Sequence, residues 1–298
     1  MDLRFPSQVI FGGNSQLIHE VDFLQFRNLL YWVPDNILFT YPDSKPVILA
    51  KLGINVLLAA KFSTLNNIAS ISAQVKANTH RIMDIMNRDQ RLGPTYLKPR
   101  IGFGGPSLLR DTHYLSQVAH DNGLPEEKQL YVKILANNRT TRRRFVKMVL
   151  AKLIGMKNKT IAIFGFASKH NTSDLTNSPA WKVCKMLLKH RVHLRIHDPE
   201  FRRTRILRCL RRRVGQGRVV VTTSPVQAAT NASAICILTD SDTYQNANYV
   251  QLYTQLFAVM RHPSYIFDGR NLGIDWQPVT ALGFSIHAVG KPSIDLGF

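Results

Sequence analysis

Thr160-Ile-Ala-Ile-Phe-Gly165 is the stretch that decides the fold. An uncharged apolar run of this length, closed by a glycine, reads as a buried strand ending in a turn. Downstream the pattern alternates. A helix over Ser178 to His190, with proline at its second position, is followed by a strand over Val192 to Asp198 and a helix over Phe201 to Val214. Further strands are predicted over Val219 to Thr222, Ala234 to Thr239 and Tyr265 to Asp268. Strands alternating with helices imply an α/β domain with a doubly wound parallel sheet over residues 156–298.

Upstream the period is helical. Residues 44–155 read as a central helical segment, with one long helix from Ser44 to about Met86, another from Leu108 to Asn122 and a third from Pro125 to Gly155. In the first, Ile48, Leu52, Val56, Leu57 and Ala60 recur at helical spacing, and polar Asn66, Asn67 and Gln74 interrupt a mostly apolar face. A helix of that kind is expected to be covered by a partner. Gly102 to Pro106 marks a loop. Residues 1–43 hold a strand near Gln8 to Gly13, a helix from Asn14 to Leu30 and a strand from Asn36 to Thr40.

The charge is unusual. Thirty-nine Lys and Arg against nineteen acids give +20, and residues 131–298 alone carry 26 basic and 8 acidic side chains. Self-repulsion on that scale points to a polyanionic partner, RNA first. The densest run is Arg202, Arg203, Arg205, Arg208, Arg211, Arg212, Arg213 and Arg218, with no acid among residues 201–218. Ile206, Leu210 and Val214 would dock a helix there and turn the arginines outward as phosphate contacts. Arg142-Arg-Arg144 reads equally as a nucleic-acid patch or a solvated helix face. Cys184, Cys209 and Cys236 form no CxxC pair, which argues against a zinc site or a disulfide framework and fits a reducing compartment. No metal site is assigned, since His190, His193 and His197 lack a cysteine or carboxylate to complete a set. No apolar run reaches the roughly 18 residues of a membrane span, and no Arg-rich transit peptide is visible in the first fifty residues.

Seven short motifs occur in one fixed order: Lys51-Leu-x-x-Asn55, Asp89-Gln-Arg-x-Gly93, Gly102-Phe-Gly-Gly105, Phe164-Gly-Phe-Ala167 with Lys169, Asn171-Thr-x-Asp-Leu175 with Ser178-Pro179, Asp198-Pro199, and Phe267-Asp-Gly-Arg270. That order resembles the UDP-glucose 6-dehydrogenase family, with its GDP-mannose relatives, over nearly the whole chain. The resemblance implies three parts: residues 1–43 as the remnant of an N-terminal Rossmann domain, 44–155 as the dimerising helical segment, and 156–298 as the Rossmann-like domain for the nucleotide sugar. The G-x-G-x-x-G turn that would hold a pyrophosphate and the family's glutamate near the catalytic water precede Asp2 in that alignment. The expectation is therefore a chain with no site for NAD and no other cofactor.

The family's loop reads G-F-G-G-x-C-x-x-x-D, its cysteine being the nucleophile that forms a thioester on the way from alcohol to acid. Ser107 stands at that position, and a serine hydroxyl needs an adjacent strong base. Lys51, Asn55, Ser107 and Asp111 are thus degenerate family-equivalent positions, with Asp111 expected as the cap of a helix starting near Thr112. Arg91, Lys98, Lys169 and Arg270 match contacts to the nucleotide sugar. Exposed Phe5, Ile10 and Phe11 are expected to meet another protein. The resulting reading is a catalytically silent relative serving as a basic structural, RNA-contacting subunit of a ribonucleoprotein, a mitochondrial ribosome by preference and otherwise a cytoplasmic assembly. Its expected partners are rRNA and neighbouring proteins, without membrane insertion; persistence of the family dimer is left open. The alternatives are one half of a split dehydrogenase and a UDP-sugar-binding regulatory subunit of an active one.

Overall fold

The computed structural model describes residues 5–13, 20–93, 98–170, 172, 174–201, 203–210 and 217–291. It divides into two compact units, residues 1–57 and 58–298, with the boundary inside one long helix.

The first unit contains strands β1 (Val9–Gly12) and β2 (Leu38–Tyr41), which pair in parallel from Val9 opposite Leu38 to Gly12 opposite Tyr41. Helix α1 (Glu20–Leu29) connects them, and Phe26 packs on Phe11 with ring centroids 4.7 Å apart. Phe5 is 83% exposed, Ile10 partly exposed, while Phe11 is half-buried by that contact. The expected start of α1 at Asn14 falls outside the described residues.

Helix α2 (Ser44–Gln74) runs from the first unit into the second. The sequence reading joins it to α3 (Thr79–Asn87), but the helix is interrupted at 75–78. Lys76 takes a left-handed φ of 56°, and Asn78 caps α3 by accepting from His80 N at 2.9 Å. Apolar spacing continues through the break, so periodicity cannot reveal it. By length and composition α2 would also pass as a membrane-crossing helix, a property the count of uninterrupted apolar residues does not show. Its exposed residues include Ile48, Leu49, Ile54, Leu57 (71% exposed) and Ile71.

The second unit continues with α4 (Ser107–Asp121) and α5 (Pro125–Lys152), an antiparallel pair joined at Gly123, whose φ is 68°. Arg142 on α5 is buried, unlike exposed Arg143 and Arg144, so the triplet is not one solvated face.

Beyond α5 lie β3 (Thr160–Phe164), α6 (Pro179–Lys189), β4 (His193–His197), α7 (Arg203–Cys209), β5 (Val219–Val221), α8 (Pro225–Ala229) and β6 (Ala234–Ile237). The chain continues through α9 (Asp242–Gln245), α10 (Tyr249–Val259), β7 (Ser264–Asp268), α11 (Gln277–Ala281) and β8 (Phe284–Ala288). The six strands β3 to β8 form one parallel sheet in the order β5-β4-β3-β6-β7-β8. Counted from β3 as first, this is the 3-2-1-4-5-6 order of dinucleotide-binding sheets, with its switch point between β3 and β6. Ile161 and Ile163 face a core with Val183, Leu187 and Leu194, whereas Ala162 and Phe164 face another with Tyr244, Tyr253 and Ile235. Burial on both faces is why β3 carries no polar alternation. Helix α7 ends at Cys209 instead of reaching Val214, and residues 211–216 lie outside the described ones.

Leu187 is fully buried among side chains from α6 and the sheet. Leu187→Ala should therefore lower the unfolding free energy by about 3 kcal/mol in a denaturant titration.

Candidate functional site: a glycine loop and its cations

Residues 102–105 thread a narrow passage within the second unit. Gly102 has φ 110° and Gly105 φ 83°, conformations that side-chain-bearing residues rarely adopt. The loop is held chiefly through its backbone. Asn138 on α5 accepts from Phe103 N at 2.9 Å and donates to Phe103 O at 3.0 Å. Gly105 N donates to Thr176 O at 3.0 Å, and Ile101 N donates to Gly269 O at 2.9 Å. A Cβ at Gly104 would collide with Asn177 O and Pro179. The glycines are there because two walls close on the chain.

Ser107 opens α4 directly after this loop and is half-buried. Since the helix starts at Ser107, Asp111 lies inside it, and the expectation that Asp111 caps a later helix is corrected. Its buried carboxylate accepts from Arg110 Nε at 2.8 Å. Among the described residues no carboxylate or imidazole is hydrogen-bonded to Ser107. Lys169 is exposed and passes over the loop, its Cε 3.8 Å from where a Cβ on Gly105 would stand. Lys98 is exposed too, with Nζ 3.8 Å from the equivalent point on Gly273.

The other expected contacts are placed differently. Arg270 is 95% buried, and its Nε and Nη2 donate to Asp240 at 2.6 and 3.2 Å. Burial works to raise the Asp240 carboxyl, but Arg270 outweighs it and holds the group below the usual carboxylate range. Arg91 is exposed and chelates Asp89, its neighbour in a single helical turn. Lys51 and Asn55 lie one turn apart on the part of α2 that belongs to the first unit. Asn138 and Asp240 were missed by sequence reading. The signal for Asn138 was available, since it faces the same way as Arg142 four residues on.

The sheet's switch point would be the place for a dinucleotide, and the residues there do not suit one. Phe166 N and Ala167 N, the amides that follow Gly165, donate to Asp198 Oδ2 at 2.5 and 3.0 Å. A carboxylate of the protein already occupies the donors that a pyrophosphate would need. A Cβ at Gly165 would also meet Thr239.

Asp240→Asn would leave Arg270 buried without a counter-ion. The substitution should cost about 3 kcal/mol of stability at neutral pH, read by thermal or chemical denaturation. Because the folded carboxyl is held low, the pair's contribution is complete above the ordinary Asp value of about 3.9 and fades as pH falls through the lowered one. The wild-type and variant stabilities should therefore converge in acid.

Two family models lie in tandem on the chain. The central domain of the UDP-glucose/GDP-mannose dehydrogenase family matches residues 47–139, and its UDP binding domain matches residues 162–273. UDP-glucose 6-dehydrogenase 2 of Arabidopsis thaliana is 29% identical over 99% of this chain and 64% of its own length. UDP-glucose 6-dehydrogenase 1 of Glycine max is 29% identical over 98% and 63%. The chain thus spans somewhat less than two thirds of these relatives. Among solved structures, a UDP-glucose dehydrogenase from Pyrobaculum islandicum superposes with a TM-score of 0.73 at 21% identity, covering 92% of this chain and 57% of that one. At that identity the likeness concerns the fold.

These findings overturn the reading as a ribosomal, RNA-contacting, mitochondrial subunit, because the relatives are dehydrogenases and the arginine segment falls within the matched UDP binding domain. Its geometry agrees. Arg203, Arg205 and Arg208 sit on a helix of only two turns, Arg205 lies over the Phe201 ring, and Arg218 donates to Leu188 O at 3.1 Å. Arg202, Arg211, Arg212 and Arg213 are outside the described residues. With central and UDP binding models in the family's own order and near-complete coverage by its members, the chain belongs to the UDP-glucose/GDP-mannose dehydrogenase family.

Proposed function

We propose that the chain binds a UDP-sugar without oxidising it and acts as a regulatory partner of a catalytically competent relative. Ser107 carries this reading. Oxidation of an alcohol to an acid through a covalent intermediate needs a nucleophile that is ionised, or nearly so, at working pH. A thiol meets that condition with an ordinary pKa of about 8.5; a hydroxyl without a hydrogen-bonded base does not. Asp111, one turn on, gives its carboxylate to Arg110. Nor does another thiol substitute: Cys184 and Cys236 are buried in the sheet domain, where burial pushes both up, and Cys209 lies on α7.

Binding is supported by what remains. Lys169 hangs over a glycine loop with its backbone anchors in place, Lys98 is exposed, and both suit the charge of a diphosphate. The UDP binding domain model covers residues 162–273, including Lys169. Arg270 is left out of the binding set because Asp240 engages it. Pairing with another family subunit is supported by the apolar residues that α2 leaves uncovered, Leu57 and Ile71 among them.

Calorimetry with UDP-glucose should show saturable binding, weakened about tenfold, or 1.4 kcal/mol, in Lys169→Ala. UDP-glucose and NAD together should give no NADH, and adding the chain to an oxidising relative should change that enzyme's rate. Absence of UDP-glucose binding would remove this proposal. NADH formed by the chain itself would replace it with that of an active dehydrogenase.

A further inference from the structure

Arg142 is 3% exposed, yet among the described residues it makes no hydrogen bond and no ion pair. Its Nη1 is fully enclosed and unpartnered. Such a guanidinium is costly, since it cannot shed its charge readily and has five donors to satisfy. Burial, and then the charge of Arg139, push its pKa down to about 10. Lys182, half-buried on the first turn of α6, is lowered by burial and then by Arg142 and Arg139. Arg139 lies one turn before Arg142 on α5, and Lys182 stands on the first turn of α6, which packs against α5. Asn138, one turn before Arg142 on α5, has its amide engaged on both sides by the backbone of Phe103.

The floor of this locality is glycine. A Cβ on Gly102 would stand 3.0 Å from Arg142 Nη1. Burial, missing partners and clustered charge all indicate a complementary anion. A planar guanidinium matches the paired oxygens of an oxyanion better than a spherical halide. Water could satisfy N–H groups but would leave the charge in place.

We propose that Arg142, Arg139 and Lys182 form a binding site for a small phosphate-type oxyanion beneath the glycine loop. Of the three, Arg139 is exposed and Lys182 half-buried. Arg142 and Asn138 both border Gly102, so the bound anion would brace the segment that leads to Ser107. This inference does not rest on UDP-sugar binding, because its residues differ from Lys98 and Lys169.

The test is titration of the full chain with inorganic phosphate at fixed ionic strength, followed by calorimetry and by melting temperature, with chloride as control. Wild type should give saturable heat and a raised Tm. The double variant Arg139→Gln, Lys182→Gln, altered at positions that are not fully buried, should bind at least about tenfold more weakly. Lys169→Ala should bind phosphate as wild type does. Arg142→Met removes the unpaired charge and should melt at one temperature with or without phosphate; if it fails to fold, the double variant still decides. No saturable phosphate binding would overturn the proposal. So would undiminished binding in the double variant, or loss of binding in Lys169→Ala, which would move the phosphate to the sugar-nucleotide contacts.

Discussion

The passage of residues 102–105 between α5 and the 176–179 segment is the constraint on which the candidate site depends. Gly104 has no room for a side chain because Asn177 O and Pro179 close over it, and Gly102 has none because Asn138 and Arg142 border it. The anchors act on backbone atoms: Asn138 on Phe103, Thr176 on Gly105, Gly269 on Ile101. Backbone anchors are indifferent to the side chain that follows the loop. The path that delivers position 107 therefore does not depend on which side chain stands there, and fold likeness alone says nothing about turnover.

Much of the sheet domain was legible because burial on both faces leaves a plain mark. Residues 160–164 and 234–237 are uncharged, largely apolar runs without polar alternation because successive side chains enter alternate cores. The break between α2 and α3 was not legible. It depends on one left-handed residue, Lys76, and an Asn78 cap, while the apolar spacing passes through undisturbed. Short elements such as α8, α9 and α11, of four or five residues, carry too little periodicity to register. The strand β8 was missed although all five of its residues are buried; polar Ser285 and His287 disguise it. For the site, the collinear motifs singled out the glycine loop, Ser107 and Lys169 as residues to place in the fold. They could not show that Arg270 is engaged by Asp240, since the two are thirty residues apart and meet only across the sheet's carboxyl edge.

The same distinction explains why the charge count misled. Net charge is a sum over the chain and carries no information on where each group ends up. Several of the arginines that contribute to the excess have structural occupations: Arg218 donates to the last turn of α6, Arg195 to Thr230 O, Arg144 to Ser70 and Arg270 to Asp240. A helix of two turns with Arg205 stacked on Phe201 is a modest polyelectrolyte surface. The compositional excess of cations therefore does not by itself locate a polymer-binding face.

Arg270 and Arg142 make the energetic contrast plain. Both are almost wholly buried. Arg270 meets a carboxylate at 2.6 Å, and that pair can offset much of the desolvation of its members. Arg142 meets none among the described residues, and Arg139 and Lys182 add repulsion instead of relief. An apolar residue of similar length would fill the same volume without that cost. A counter-charge at Arg142 would offset that cost, and because Arg142 borders Gly102 it would also steady the loop.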